Sequence, residues 1–488
     1  MNPEAINSNP PAARPAAPGH SHPLGWPHSC LWLVVATACF HGAYTSLHFP
    51  AAGFLVLGYA FALARLTDQA TVRRAFYFGL ATGLFCFAPQ LWFFHRIFNA
   101  AAVVLWLVPG FWIGLFAAIA CGCTRRWGRV RATWMLPVIW TGVEYFRSEL
   151  YYLKFSWLNL GYALPACFSR VVGVYGVGFV VFLFAAATLA PRRRFRSVVW
   201  FGSLLVLLFF LPAVAGRHSP GGTPAATLSL VGIQMEFPPE NIVPKMLDRA
   251  LAKNPNAQMF VLSEYTLSGP VPETLKDWCR LHSRFLVVGG EDPAGTQDYW
   301  DTAFVVGVDG RIVFKQGKRV PIPFFRDGLP APDQQVWHSP WGVIGFCVCY
   351  DLSYTRVTDE LVRQGAQLLI VPTMDVENWG RHEHELHTRV APVRAAECGV
   401  PIFRLASSGI SQAVSAEGEV LAQAPMPGNG AFLAATLHLP QSGSRPLDRI
   451  LAPTCTALTA LLTMALLWLE WKESRAAAAR GFGRRAPG

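Results

Sequence analysis

Charge is what this chain has least of. Asp, Glu, Lys and Arg make up 15% of its 488 residues, against about 25% in an average soluble domain. The shortage is uneven. Most Asp and Glu lie after residue 230, while long apolar runs fill residues 29–215. A wholly soluble chain is excluded, and a membrane half followed by a soluble half is implied. Regular cysteine spacing is also missing. The eleven cysteines are odd in number and none form a CxxC pair, which excludes a disulfide framework and a zinc pattern of that kind. Residues 1–27 are rich in Pro, Ala, Ser and His and short of apolar side chains, so they read as a disordered tail. No small-residue cleavage site follows the first apolar run, and no cleavable signal peptide is read. The net charge of +11 sits in short Arg clusters between apolar runs. That placement points to membrane topology and away from nucleic acid.

What is present begins with seven apolar segments, at about 29–47, 50–66, 75–97, 101–123, 132–148, 168–190 and 197–215. Each approaches the roughly 20 residues that cross a bilayer. Arg65, Arg73 and Arg74 follow the second segment. Arg125, Arg126, Arg129 and Arg131 follow the fourth, and Arg192, Arg193, Arg194 and Arg196 the sixth. Basic loops stay cytoplasmic, so the N-terminus is placed inside and everything after residue 215 outside. An eighth segment returns the chain to a tail carrying Lys472, Arg475, Arg480, Arg484 and Arg485. The implied organisation is a tail over 1–27, seven helices over 28–215 and a linker over 216–226. A soluble domain follows over 227–445, an eighth helix over 446–470 and a basic cytoplasmic tail over 471–488. Within the fifth segment, Glu144 and Arg147 are three residues apart and so share a helix face. Charges at membrane depth are expensive. The pair reads either as a packing ion pair or as a contact for a polar headgroup or substrate.

The soluble domain alternates strand and helix patterns. Strands are expected over 227–237, 259–264, 285–290, 342–349, 367–373 and 401–406. Helices are expected over 241–253, 272–284, 354–364 and 381–398. Hairpins are expected over 301–315 and 411–423, turning at Asp309-Gly310 and Glu417-Gly418. This mixture argues for an α/β sandwich with mixed sheets. Three reactive side chains fall at strand ends or just beyond. Glu264 closes one strand, Lys318 follows the first hairpin, and Cys349 closes the apolar run 342–348. Residues at the carboxyl ends of strands can converge on one site. There a carboxylate takes the thiol proton, the thiolate attacks a carbonyl, and an ammonium holds the oxyanion. Each residue alone is weak evidence; the three together, each on a suitable element, are stronger. Cys347, two residues earlier and expected on the same strand face, is the rival nucleophile. The run 381–387, with His384 and His387 three apart, lacks HExxH spacing and reads as a solvated helical turn.

The order Glu264, Lys318, Cys349, with Tyr350 and Asp351 behind the cysteine, resembles the carbon–nitrogen hydrolase, or nitrilase, superfamily. With the apolar half included, the chain resembles the apolipoprotein N-acyltransferase family. The residues that carry this are Pro137-Val138-Ile139-Trp140 through Glu144-Tyr145-Phe146-Arg147, Phe155-Ser156-Trp157-Leu158-Asn159-Leu160-Gly161-Tyr162, and the lysine loop 318–324. His387, Arg394-Ala395-Ala396-Glu397 and Ser408-Gly409 add to it. The resemblance implies a polytopic helical membrane domain joined to an extracytoplasmic nitrilase-like sandwich. It implies transfer of an acyl chain from a phospholipid, through a Cys349 thioester, to the amine of a diacylglyceryl-cysteine lipoprotein. Glu264 is the implied base and Lys318 the oxyanion partner. Tyr350, Asp351, Trp379, Asp327, Glu144 and Arg147 are the implied binding or supporting residues. No metal or organic cofactor is implied. The setting is the bacterial inner membrane, with the catalytic domain periplasmic, both termini cytoplasmic, and the protein a monomer. Two departures stand out. Phe325-Arg326-Asp327 replaces the Gly-Glu that follows Pro-Phe in the family's lysine loop, so Asp327 either substitutes for that carboxylate or the role is absent. Met374-Asp375-Val376-Glu377-Asn378-Trp379-Gly380 replaces an Asn-Asp-Ala-Trp-Phe type segment. The alternatives to acyl transfer are a membrane-tethered amidase using water and a silent lipid-binding scaffold.

Overall fold

Apolar length dictates the first half of the molecule. The computed structural model describes residues 23–45, 51–190 and 226–482. The expected segment at 197–215, the linker up to residue 225, and tail residues 1–22 and 483–488 lie outside them. The helices are α1 (Trp26–Thr45), α2 (Ala51–Leu66), α3 (Val72–Gln90), α4 (Phe93–Phe98), α5 (Ala102–Trp127), α6 (Arg129–Tyr145) and α7 (Ser169–Leu189). Among the described residues, three stretches are long and apolar enough to cross a bilayer: Phe93–Trp127, Ala166–Leu189 and Asp448–Ala476. Ala51–Leu66 is apolar but shorter. The α3–α5 seam is built on Gly79 and Gly83 facing Gly110 and Gly114. A methyl at Gly79 or Gly83 would strike the backbone of α5. Small residues four apart let two membrane helices approach this closely.

The second half is two six-stranded sheets, in the orders β12-β1-β2-β3-β4-β5 and β11-β10-β9-β8-β7-β6. The first holds β1 (Ala226–Ile233), β2 (Met259–Leu262), β3 (Phe285–Ala294), β4 (Asp298–Val306), β5 (Ile312–Gly317) and β12 (Phe432–Leu439). The second holds β6 (Val336–Ser339), β7 (Gly342–Phe346), β8 (Leu368–Thr373), β9 (Ile402–Ala406), β10 (Ser411–Val414) and β11 (Val420–Ala424). In each sheet three central strands run parallel and the flanking ones antiparallel. Alternate residues bury on opposite faces. Leu228 and Leu230 of β1 join the core shared with the second sheet and the membrane helices. Val231 and Ile233 instead pack under α8 (Val243–Lys253) and α9 (Glu273–His282). Gly232 faces β9 so closely that a methyl would strike Leu405 and Phe403. The remaining helices are α10 (Thr355–Arg363), α11 (Arg381–Thr388), α12 (Val390–Cys398) and the long α13 (Asp448–Phe482).

Carboxylates fasten the two halves together. Gly173 breaks α7 with φ +77, which frees the next amides. Val174 N–H donates to Glu397 Oε1 (2.6 Å) and Tyr175 N–H to Asp448 Oδ2 (3.0 Å). Arg449, at the start of α13, donates to Asp359 (2.8 Å) on α10, Glu397 (3.1 Å) on α12 and Asp448 (2.8 Å).

Several expectations need correction. The run 342–349 is not one strand, because β7 ends at Phe346 and Cys349 opens a 3₁₀ turn, Cys349–Ser353, with φ +49. Cys347 therefore does not share a strand face with it. The strand expected over 259–264 ends at Leu262, two residues short of Glu264. The helix expected over 381–398 is two helices meeting at Arg389. Strands β6 and β12 were not anticipated. The turn at 381–387 is not solvated: Glu383, His384, Leu386 and His387 are buried.

Candidate active site

The turn after β7 exists because Asp351 holds it. Its Oδ2 accepts from Val348 N–H (3.2 Å), and its Oδ1 from Val320 N–H (2.7 Å). Both oxygens accept from Arg319 N–H at 3.0 Å. One carboxylate thus ties the cysteine turn to the backbone of the lysine loop. Burial lifts this carboxyl to about 6, against the pull of the Arg319 amide and of Lys318. Behind it, Tyr350 Oη donates to the Lys154 carbonyl (2.9 Å) in the loop that follows α6.

Lys318 follows β5 directly and is fully buried. Its Nζ lies 2.7 Å from Glu264 Oε1, 2.8 Å from Asp327 Oδ2 and 3.5 Å from Asp301 Oδ2. Burial works against the ammonium, but Asp327 and Glu264 outweigh it and hold its pKa well above the usual value. Burial also pushes Glu264 up, yet Lys318 and hydrogen bonds hold it below the ordinary carboxylate value. Asp301 is pushed well above its usual value, first by burial and then by the Glu264 charge. The cluster therefore keeps one lysine charge beside an ionised Glu264.

Glu264 and Cys349 meet across the Met374 backbone. Met374 N–H donates to Glu264 Oε2 (2.6 Å), and the Cys349 thiol points at the Met374 carbonyl (3.8 Å). Burial, then the Glu264 charge, pushes the thiol well above its ordinary value. The resting pair is thus a neutral thiol beside a carboxylate, the state a general base needs. Cys347 is also buried and pushed up, but its neighbours are Asp351, Cys398 and Arg394.

The structure brings together Glu264, Lys318, Cys349, Tyr350, Asp351 and Asp327. Asp327 meets Lys318 despite its shifted position, and it accepts from Ile322 N–H (2.6 Å) and Tyr265 Oη (3.1 Å). Glu144 and Arg147 lie elsewhere. They are 3.9 Å apart and buried. Glu144 Oε1 accepts from Leu160 N–H (3.2 Å), and Arg147 donates to Asn159 Oδ1 (2.8 Å) and the Phe155 carbonyl (3.2 Å). They brace the 155–160 loop and do not line the pocket described next.

That pocket has about 870 Å³ of open space. Cys349 and Tyr350 lie in its wall, with Phe94, Ile97 and Phe98 of α4, Leu105 and Val108 of α5, and Ile322, Pro323, Phe324 and Phe325 of the lysine loop. Trp379 lines it too, its ring centroid 6.2 Å from that of Phe325. The cavity is apolar except at Lys154, Glu383, His387 and the reactive groups. Trp157 completes one wall, stacked on His387 at 4.3 Å and donating to Ser353 Oγ (2.8 Å).

Residues 36–187 match the family described as apolipoprotein N-acyltransferase N-terminal domain, and residues 227–443 match the carbon–nitrogen hydrolase family. The chain thus carries an apolipoprotein N-acyltransferase N-terminal domain followed by a carbon–nitrogen hydrolase domain, and it is similar over most of its length to proteins named apolipoprotein N-acyltransferase. The enzyme of that name from Geobacter metallireducens is 26% identical over 461 residues, covering 80% of this chain and 86% of its own length. The one from Nitrosomonas europaea is 25% identical over 488 residues, covering 89% and 95%. Among solved structures, Saccharomyces cerevisiae Nit3, a member of branch 10 of the nitrilase superfamily, is 18% identical. It covers 45% of this chain and 93% of its own, with a TM-score of 0.39.

These two matches account for the apolar helices and for the nitrilase-like sandwich beside them. Two donor clusters in the described residues bring three ligand-type atoms within 4.8 Å: Glu264, Asp301 and Asp327, and Asp375, Glu383 and His387. Each has a cation of its own, Lys318 in the first and Arg404 Nη2, 2.6 Å from Asp375 Oδ2, in the second. Sequence reasoning missed Asp301, Tyr265, Met374, Asp375 and Glu383 at the site. Asp301 and Tyr265 carry no local signal, since a strand residue and a turn tyrosine read as ordinary. Glu383 was visible as a charge beside His384, but spacing alone assigned 381–387 to solvent, and Asp375 was read only as part of the replaced segment 374–380.

Proposed function

We propose that the protein moves an acyl chain from a phospholipid to the N-terminal amine of diacylglyceryl-cysteine on lipoproteins, by way of a thioester on Cys349. Glu264 takes the thiol proton as sulfur attacks the donor ester. The ester oxygen gains negative charge beside Lys318, and collapse expels the lyso-lipid alcohol, which receives the proton from Glu264. The amine then attacks the thioester, forming the amide and restoring the thiol. No metal or organic cofactor enters either step.

One observation carries this reading. The Cys349 pocket is walled partly by the soluble domain and partly by the apolar helices α4 and α5, so a lipid tail reaches the sulfur without leaving an apolar environment. A water-accepting amidase has no use for such a wall. The Arg-rich loops support a bacterial inner-membrane setting, with the catalytic domain periplasmic and both termini cytoplasmic. The test is incubation of the purified protein with labelled phospholipid. A hydroxylamine-sensitive adduct is expected on the wild type and not on Cys349→Ala. No wild-type adduct would overturn acyl transfer, and an adduct surviving in Cys349→Ala would move the nucleophile, to Cys347 first.

A further inference from the structure

The amine that accepts the acyl chain arrives with a proton it must lose, and Glu264 is poorly matched to take it. An α-ammonium group has a pKa near 8, whereas Glu264 is held below the ordinary carboxylate value. A second polar corner opens on the same cavity. His387 and Glu383 both line it although each is almost wholly buried. His387 Nδ1 lies 2.8 Å from Asp375 Oδ1, and Asp375 is held well below its usual pKa: burial opposes this, but Arg404 and His387 outweigh it. An ionised carboxylate only accepts, so Nδ1 donates to Asp375 and Nε2 is the ring nitrogen left to exchange a proton with the cavity. That Nε2 has no hydrogen-bond partner among the described residues, and Glu383 beside it holds its Oε2 2.8 Å from His384 Nδ1, which leaves Oε1 toward the ring. Trp157 stacks on the ring and fixes its plane. The corner is also tied to the reaction centre, because Asp375 follows Met374, whose backbone meets both Glu264 and Cys349.

We propose that His387 is the proton acceptor for the incoming amine, with Glu383 as the counter-charge that seats its ammonium. The proposal rests on the acyl-transfer reading. In the second half-reaction the ammonium gives one proton to His387 Nε2. The nitrogen lone pair attacks the thioester carbon, a C–N bond forms, and the carbonyl oxygen takes the negative charge beside Lys318. Collapse breaks the C–S bond, the second nitrogen proton passes through Glu264 to the departing sulfur, and His387 releases its proton to water. The charged groups around His387 are Asp375, Glu383 at 3.8 Å from Nδ1, His384, whose Nδ1 lies 2.8 Å from Glu383 Oε2 and 3.8 Å from Asp375 Oδ2, and Arg404, 2.6 Å from Asp375 Oδ2.

The experiment preforms the thioester from labelled phospholipid, then chases it with a diacylated lipopeptide or with hydroxylamine, which is uncharged at neutral pH. In His387→Gln the lipopeptide chase should slow about a hundredfold or more, the usual reach of a general base, while the hydroxylamine chase on the same thioester changes far less. The lipopeptide rate of that variant should also climb with pH through about 8, the amine's own pKa. Glu383→Gln should raise the lipopeptide concentration needed for half-maximal rate about tenfold. Equal loss with both nucleophiles in either variant, or no loss with the lipopeptide, would overturn the proposal. A wild type that forms no thioester would overturn the acyl-transfer reading, and this proposal with it.

Discussion

Asp351 and Asp327 are the residues through which the site's charge is set, and they respond differently to change. The Asp351 carboxylate gathers the amides of Arg319, Val320 and Val348, and protonation removes acceptor capacity from that knot. With its pKa at about 6, thioester formation should fall as pH drops through about 6 and level off above it, read as burst amplitude and rate between pH 5 and 8. Glu264 would place that limb below 4.5 instead, so a midpoint near 6 separates the two. Stability has the opposite sign for this group. Its folded value exceeds the ordinary 3.8, so the folded state binds the proton more tightly. The contribution of Asp351 to stability falls as pH rises from 3.8 to about 6. Asp327→Asn removes a charge from Lys318 while keeping shape. A hydrogen bond to a charged group is worth about 1.5–3 kcal/mol, so acylation should slow roughly ten- to a hundredfold. An unchanged burst rate would show that Lys318 needs only Glu264.

The junction elements make a stability claim of their own. Arg449 joins α13 to α10 and α12 through Asp359 and Glu397, and losing one partner of a buried ion pair costs about 3–5 kcal/mol. Arg449→Gln should therefore lower the unfolding temperature in detergent by several degrees, and an unchanged melting curve would remove the junction from the protein's stability. Elements were legible in proportion to their own signal. The apolar helices and the parallel strands β2 and β8, which are short apolar runs buried on both faces, are what such patterns reveal. The four-residue β6 is too short for a pattern, and β12 alternates across a half-exposed edge. The break at Arg389 has its signal in Pro392, which has no N–H for the Thr388 carbonyl and whose ring crowds it; the single expected helix passed over that proline. The cysteine turn was misplaced because Val348 and Cys349 extend the apolar run, whereas the capping group, Asp351, comes afterwards. The three reactive residues were legible as an order along the chain and Asp327 as an offset carboxylate in the lysine loop, whereas Asp301, on β4, depends on the folded hairpin to arrive.

At the scale of the whole molecule, the cavity is what neither half contains alone. The lysine loop closes it against α4, with Phe98 packed 5.4 Å from Phe325 and 6.4 Å from Phe324. The exposure of Phe324, at 68%, leaves an apolar side chain at the mouth. A lipid chain in this space gains about 0.8 kcal/mol for each methylene removed from water, so the wall formed by α5 should matter in proportion to chain length. Leu105→Glu places a charge on that wall, on α5 and outside the set of residues bonded to Lys318 and Glu264. Long-chain phospholipid should then acylate Cys349 at least a hundredfold more slowly, because the charge must be desolvated or must exclude the tail. A short activated ester such as p-nitrophenyl acetate needs no such wall and should still release its chromophore at a rate within a few fold of wild type. Equal loss with both donors would mean that Leu105 supports the fold and not the tail. Equal retention would place the acyl chain outside this cavity, and the membrane half would then serve as an anchor only.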